Sequence, residues 1–187
     1  MALTTFTMGK SYEQLNERHQ AFIEAQQMFF VATAGREGKV NLSPKGLDSL
    51  RVMGPNRITW LNVTGSGNET AAHVKENGRM TLMFCAFEGA PMILRVYGQA
   101  REIQPGHKSW GEYAAHFPDL PGARQIFELQ IDMVQTSCGM AVPLYDFQDQ
   151  RQELVRWAEK KGPNGIQDYW QEKNLTSLDG YPTGLGE

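Results

Sequence analysis

The sequence feature that most restricts the fold is a series of short segments rich in β-branched and aromatic residues, bounded by Gly, Pro or Asn. In chain order they are MFFVATAG, KVNLSPKG, NRITWLNV, RMTLMFCA, PMILRVYGQARE and FELQIDMVQT. Most connections are too short for parallel crossovers, which need roughly a dozen residues or more. The segments therefore predict an antiparallel sheet, and because closure removes exposed edges, we expect a barrel.

The last segment indicates which side of the sheet is buried. Leu129, Ile131 and Met133 alternate with Gln130 and Asp132, so one face is expected to be buried and the other wet. The loop between the first two segments contains two glycines, which suit a hairpin. The predicted fold class is mainly β with flanking helices, built on a six-stranded antiparallel barrel.

A helix is predicted ahead of the first strand and ends near residue 27. Ser11 and Gln14 have the spacing of a capping box at its start. Three apolar residues share one face of this helix, which makes it amphipathic. They are Leu15, Phe22 and Ile23.

A second helical region follows Pro143. The segment FQDQRQELVRWAEKK has helical periodicity, Gly162 and Pro163 end it, and a shorter helix follows. We therefore divide the chain into a barrel domain over residues 1–143 and a helical extension over residues 144–187. The extension is expected to pack on the barrel or on a partner subunit.

The charge balance restricts the partners of the chain. Its 187 residues contain 18 Lys and Arg against 21 Asp and Glu, which gives a net charge of −3. A mildly acidic protein offers no general attraction for polyanions, so nucleic acid is not an expected partner. The amino terminus lacks a signal pattern and no apolar run approaches the ~18 residues that span a bilayer, which predicts a cytoplasmic protein without a membrane segment. The two cysteines and the histidines show no spacing typical of a metal site.

The stretch GSGNETAAHV, residues 65–74, is a glycine-rich turn that opens a short helix between two strands. Ser66 and Glu69 have capping-box spacing, Asn68 is an alternative N-cap, and Gly78 ends the helix. A helix start also leaves backbone NH groups unpaired and carries a partial positive charge, which suits a phosphate. Both interpretations stay open on spacing alone, because the stretch lacks a P-loop or dinucleotide-binding motif.

Three other residues are candidates for a binding site. Lys45 ends the segment NLSPKG, whose Pro44 marks a sheet edge or a bulge. Arg95 lies on the face of its strand opposite Leu94, and a solvated surface cation would explain Arg95 or Lys45 equally well. Trp60 packs in the core or against a planar ring, and the core is favoured. No Ser-His-Asp or Cys-His arrangement is indicated, so catalytic residues are left unassigned.

The order of these segments, above all the run from ITWLNVTGSGNETAAHV to RMTLMF, resembles the FMN-binding split β-barrel of the pyridoxamine 5'-phosphate oxidase family. The resemblance covers residues 11–136. In the family, the strand matching VNLSPK lies along the flavin, which implies contacts from Ser43 and Lys45. A cation at Lys45 or Arg95 would stabilise negative charge on the reduced ring. The family segment that lines the ring and the ribityl chain corresponds here to Trp60, Leu61 and Asn62.

The phosphate position departs from the family pattern. Family members hold the FMN phosphate with an Arg-Lys pair at the helix start, where this chain has Asn68, Glu69 and Thr70. Hydroxyl, amide and backbone donors, including Thr64, would then bind the phosphate, with Lys45 or another subunit supplying charge. Because a charge-assisted hydrogen bond contributes roughly 1.5–3 kcal/mol against about 1 for a neutral one, this loss is expected to weaken binding tenfold or more.

The resemblance implies FMN as cofactor and a homodimer with two flavins at the subunit interface. True pyridoxamine phosphate oxidases carry an Arg-x-His segment near the carboxyl end, and nothing similar follows Arg156. We therefore expect a flavin-dependent oxidoreductase with another, unidentified small-molecule substrate. Two alternatives stay open: a non-catalytic flavin-binding or flavin-sensing module, and a split barrel that uses haem or a deazaflavin.

Overall fold

The computed structural model describes residues 9–186, which form one antiparallel sheet flanked by helices. The elements in chain order are β1 (Lys10–Tyr12), α1 (Glu17–Glu24), β2 (Phe29–Thr33), β3 (Asn41–Lys45), β4 (Leu50–Gly54), β5 (Arg57–Val63), α2 (Glu69–Asn77), β6 (Arg79–Cys85), β7 (Ile93–Ile103), α3 (Trp110–Ala114), β8 (Ala123–Ser137) and α4 (Glu153–Lys173). The predicted fold class is confirmed, but the described residues form eight strands where the sequence analysis expected six.

The sheet is curled and open along one line. Its strands follow the order β3-β2-β6-β7-β8-β5-β4, and β1 pairs with the far end of β8. The edges are β3 and β4, and the ladders described within residues 9–186 do not join them. Phe29 of β2 and Trp60 of β5 lie in strands far apart in this order, yet their ring centroids are 6.2 Å apart. The sheet therefore wraps around its core as a barrel that is split between β3 and β4.

The two strands that the sequence analysis missed lack a strong local signal. β1 has three residues, and its extended conformation depends on pairing with residues 134–136 of β8. Ser11 lies in this strand, so the expected capping box at Ser11 is wrong. Helix α1 begins at Glu17 instead, where the Asn16 side chain accepts a hydrogen bond from the His19 backbone NH. β4 is half-buried along its whole length, which leaves no alternation to recognise.

A bulge in β8 changes which of its side chains are buried. The pairing with β7 shifts register at Asp132, which is an extra residue on β8. The insertion reverses the alternation, so Val134 is fully buried and Met133 is 37% exposed. The expected burial of Met133 is therefore wrong, whereas that of Leu129 and Ile131 is confirmed.

The concave side of the sheet holds the main apolar core. Trp60, Phe84 and Phe127 are among its largest fully buried side chains, and the Trp60 and Phe127 rings stack with centroids 4.9 Å apart. Burying one such side chain stabilises the fold by about 1.5–3 kcal/mol. A smaller cluster under α3 contains Leu61 and Tyr113. Together the two clusters fix β5 and β8 within the barrel wall.

The carboxyl-terminal segment contacts the chain's own barrel. Gly162 interrupts α4 with φ = 66°, and Pro163 follows it, so the predicted break between two helices is confirmed. Beyond this break, Trp170 Nε1 donates to Thr64 Oγ1 at 2.7 Å. The division of the chain at residue 143 stays a prediction.

The part of the chain that the structure describes contains neither a candidate membrane-spanning helix nor a candidate metal cluster. No helix within residues 9–186 is long and apolar enough to cross a membrane. In the same part of the chain, no group of three or more His, Cys, Asp or Glu side chains is placed to hold a metal ion. Of the two cysteines, Cys85 is buried and Cys138 is exposed.

Candidate functional site

A polar cleft opens where the start of α2 meets the edge strand β3. Its walls come from β3, the end of β5, the loop that follows β5, the first turn of α2 and the start of β8. The cleft encloses about 230 Å³ and is lined by Asn41, Ser43, Lys45, Asn62, Val63, Gly65, Ser66, Gly67, Asn68, Glu69, Thr70 and Arg124. Because β3 and β5 are remote from each other in the sheet order, the curl of the sheet creates this cleft.

Asn68 immediately precedes α2 and is only 2% exposed. It is the N-cap, as the alternative sequence interpretation proposed, but its side chain makes no capping hydrogen bond. Neither its Oδ1 nor its Nδ2 has any hydrogen-bond partner. A buried amide costs free energy unless its polar atoms are paired, so the Asn68 amide is able to pair with a group that enters the cleft.

Glu69, the first residue of α2, is held by the carboxyl-terminal segment. Its two carboxylate oxygens each lie 3.0 Å from the backbone nitrogen of Leu178, which donates to them. A carboxylate at this position also interacts favourably with the helix dipole. Glu69 therefore fixes the start of the helix and places one negative charge beside the cleft.

A chain of neutral hydrogen bonds joins β3 to α2. The Asn41 amide donates to Thr70 Oγ1 at 3.2 Å, and Ser43 Oγ donates to Asn41 Oδ1 at 3.2 Å. Behind them, Thr33 Oγ1 and His73 Nδ1 are 3.0 Å apart in a buried pair. His73 therefore packs inside the structure. The network holds the hydroxyl and amide groups of the cleft in defined positions.

Lys45 brings a cation to the cleft from the end of β3. Its Nζ lies 5.5 Å from the centroid of the Trp60 ring, within reach of a cation–π interaction. Burial, and secondarily the positive charge of Arg124, lower the pKa of Lys45 to about 8. At pH 7 the ammonium group is therefore still mainly protonated.

Arg124 brings a second cation, which the sequence analysis did not single out. The pairing of β8 with β5 shifts register between Asn62 and Val63, and Arg124 is the extra residue on β8. A bulge re-aims the side chain of the inserted residue. Arg124 is 2% exposed and lines the cleft. Burial lowers the pKa of its guanidinium to about 10, although the charge of Glu102 acts in the opposite direction.

The glycine-containing loop between β5 and α2 is fixed by residues distant in sequence. Asn174, at the end of α4, donates from Nδ2 to the carbonyl oxygen of Gly65 at 3.2 Å. Arg124 donates to the carbonyl oxygen of Gly67, also at 3.2 Å. A Cβ atom built on Gly65 would meet nothing within 4 Å, so no contact inside the fold requires glycine there. The space beside the loop is available to a ligand.

Six of the ten residues predicted from the sequence line this cleft. They are Ser43, Lys45, Asn62, Asn68, Glu69 and Thr70. Cofactor contact by any of the ten stays a prediction.

The structure places the other four residues elsewhere. Trp60 is fully buried in the main core, which confirms the favoured interpretation of its packing. Leu61 points into the smaller cluster under α3. The Thr64 hydroxyl donates to a backbone carbonyl and accepts from the Trp170 indole, so it is already engaged both as donor and as acceptor. Arg95 donates to Ser137 Oγ at 3.2 Å, away from the cleft.

The arrangement is suited to binding an anion with several hydrogen-bond acceptors. Two cations, Lys45 and Arg124, converge with one carboxylate, Glu69, so positive charge exceeds negative charge. The remaining lining groups are amides, hydroxyls and backbone around a helix start. Such groups bind and orient a ligand, and a redox reaction there needs a bound redox group.

Comparison with known proteins agrees with this fold. The sequence pattern described as pyridoxamine 5'-phosphate oxidase matches residues 15–138. A pyridoxamine 5'-phosphate oxidase family protein of Aspergillus flavus, ustO, is 35% identical over 189 aligned positions, covering 91% of this chain and 76% of that protein.

Solved structures show the same fold at low sequence identity. A Lactobacillus delbrueckii protein provisionally assigned as a pyridoxamine 5'-phosphate oxidase superposes with a TM-score of 0.55 at 20% identity, covering 68% of this chain and 98% of that one. A second solved structure is a Clostridium acetobutylicum protein related to general stress protein 26, of the pyridoxinephosphate oxidase family. It superposes with a TM-score of 0.51 at 12% identity, covering 73% of this chain and 94% of that one.

Proposed function

The chain belongs to the pyridoxamine 5'-phosphate oxidase family, and on that premise we propose that it binds FMN and is a flavin-dependent oxidoreductase. Its proposed substrate is a small molecule other than pyridoxamine phosphate, because residues 156–187 contain no Arg-x-His segment. Bound flavin supplies the electron or hydride transfer, and the protein supplies binding and orientation.

The observation that carries the proposal is the unpaired amide of Asn68. Both of its polar atoms are buried without a partner at the start of a nine-residue helix. A phosphate group has acceptor oxygens for the Asn68 Nδ2 and for the backbone NH groups of the first turn. Its negative charge is also favoured by the helix dipole and by the nearby Lys45.

The other groups of the cleft are suited to the polar parts of FMN. Thr70 and Lys45 line the same cleft as Asn68 and are assigned to the phosphate. Ser43 of β3 and Asn62 of β5 also line the cleft, and their hydroxyl and amide groups are assigned to the ribityl chain. Hydrogen bonds within the protein hold Ser43, Asn62 and Thr70 in place, which lowers the entropic cost of binding.

The ring of the flavin needs more space than one chain provides. The cleft of about 230 Å³ is smaller than the ~300–1,000 Å³ of typical small-molecule pockets. We extend the proposal to a homodimer in which the second subunit covers the ring. Val40 and Leu42, on or next to the edge strand β3, are 74% and 61% exposed and offer apolar surface for this contact. Sedimentation of the purified protein at the mass of two chains is the expected result, and a monomer in the presence of FMN would contradict the dimer.

The cofactor is tested first on the purified protein. We expect flavin absorbance bands, release of FMN on denaturation, quenching of FMN fluorescence on titration, and a higher melting temperature with FMN. Lys45→Ala combined with Thr70→Ala should weaken FMN binding strongly, whereas the matched control His107→Ala, at an exposed position, should not. A protein that neither quenches FMN fluorescence nor is stabilised by excess FMN would refute the proposal. Haem bands, or a released deazaflavin, would establish the corresponding alternative.

A further inference from the structure

Arg124 is a buried cation whose hydrogen bonding is incomplete. One terminal nitrogen donates to Asn174 Oδ1 at 2.5 Å and the other to the Gly67 carbonyl at 3.2 Å. Its Nε has no hydrogen-bond partner. Both acceptors are neutral, so these bonds do not cancel the charge.

Burying a charge without full compensation is costly, and a fold retains such a residue when something else pairs with it. Glu102 supplies part of the compensation through its charge. Arg124 also lines the cleft, together with Lys45, and the two cations repel each other there. An anion in the cleft would pair with both and remove this repulsion.

Asn174 determines where the guanidinium of Arg124 lies. It is completely buried, and each of its polar groups is engaged. Its side chain bonds Arg124 and the Gly65 carbonyl, its backbone NH donates to the Trp170 carbonyl at 2.9 Å, and its carbonyl accepts from Thr183 Oγ1 at 2.7 Å. A residue fixed at four points holds the arginine and the loop in one arrangement.

We propose that Arg124 binds the phosphate monoester of the ligand and that Asn174, in the carboxyl-terminal extension, positions it for this role. The inference rests on the proposed function and adds to it the residue that supplies the charge. The helix start, where the family has an Arg-Lys pair, has no cation in this chain. Arg124 provides positive charge from the start of β8, within the same subunit, and its guanidinium bonds the carbonyl of Gly67 beside the helix start. The extension is thus part of the binding site.

The test compares FMN with riboflavin, which lacks only the phosphate. Dissociation constants for both are measured by flavin fluorescence with the wild-type protein, Arg124→Gln, Arg124→Lys and Asn174→Ala. Arg36→Gln is the matched control, because Arg36 is an exposed arginine in the hairpin loop. Melting temperatures of the apoproteins show whether each variant folds.

Arg124→Gln is expected to weaken FMN binding about 10- to 100-fold, the range for losing one charge-assisted contact. Riboflavin affinity should stay within about twofold of wild type, since only the phosphate contact is lost. Arg124→Lys keeps the charge without the planar guanidinium, so its FMN affinity should lie between those of wild type and Arg124→Gln. Asn174→Ala should lower the preference for FMN over riboflavin in the same direction, and Arg36→Gln should leave it unchanged.

Three results would overturn the inference. The first is an Arg124→Gln variant that binds FMN as tightly as wild type. The second is an equal loss of FMN and riboflavin affinity, which would assign Arg124 a structural role only. The third is a wild-type protein that binds neither compound, which would refute the proposed function as well. Inorganic phosphate gives an independent test without any variant, because it should compete with FMN and not with riboflavin.

Discussion

Two buried charged residues of β8, Arg124 and Glu128, have opposite kinds of surroundings. The Glu128 carboxylate accepts from Arg101 Nε at 2.7 Å and from the Tyr113 hydroxyl, and Arg57 lies 3.6 Å away. Arg124 has only neutral acceptors and an unpaired Nε. The chain alone completes the first cluster and leaves the second incomplete. The difference separates a charged residue whose partners lie within the protein from one whose hydrogen bonding is incomplete, although sequence alone would treat both as charged residues of one strand.

The largest expected effect tests the complete cluster. Glu128→Gln removes the charge that pairs with Arg101, so the apoprotein should lose about 2 kcal/mol of unfolding free energy, a modest value because Arg101 is half exposed. Arg124→Gln should change the same free energy by less than about 1 kcal/mol, because it removes an incompletely paired buried charge. Urea denaturation with unchanged m values measures both. The comparison fails if Arg124→Gln is the more destabilising substitution.

The next effect concerns the pH dependence of binding. In the free protein, burial and then the charge of Arg124 lower the pKa of Lys45 to about 8. The charged form attracts phosphate, so FMN affinity should be highest below pH 8 and should fall about tenfold between pH 7 and 9. Arg124 keeps its charge over this range, because its pKa is still about 10 after burial lowers it.

Lys45→Gln is the control for this pH profile. It should bind FMN more weakly at pH 7 and show a nearly flat dependence up to pH 9. A wild-type profile that is itself flat, or a variant that keeps the wild-type slope, would show that Lys45 does not face the phosphate. The phosphate of FMN stays a dianion over this interval, so its own titration does not interfere.

The smallest effect comes from the carboxylate of the cleft. Glu69→Gln removes a negative charge near the phosphate and keeps an oxygen that can accept from the Leu178 backbone. FMN affinity should rise about threefold, in line with the size of partly exposed charge interactions. Repeating the titration at high salt should abolish the gain. A weaker affinity in the variant would place the phosphate away from the start of α2.

Local sequence patterns were sufficient to predict most strands of the sheet and six of the residues that line the cleft. The alternation and the turn residues identified β2, β3 and β5 to β8, and the glycine-rich stretch located the start of α2. The sequence did not predict β1 and β4, because their extended conformation depends on the strands they pair with and their own residues show no periodicity. The exposure of Met133 was not predicted, because the alternation of apolar and polar residues does not reveal a β-bulge.

The place of Arg124 in the cleft was not predicted for a related reason. In the segment PGARQIF it looks like a surface cation at the start of a strand, and its partner Asn174 is fifty positions away. One signal was available. If β8 is paired with β5, the start of β8 lies beside Asn62. A cation at that end of the strand then falls within reach of the glycine loop.

A crystal structure of the protein with FMN would show directly whether this cleft holds the phosphate. We expect the phosphate at the start of α2, within hydrogen-bond distance of Asn68 and between Lys45 and Arg124. FMN bound elsewhere on the barrel, or a cleft whose Asn68 and Arg124 are satisfied by the protein's own atoms in the complex, would contradict it.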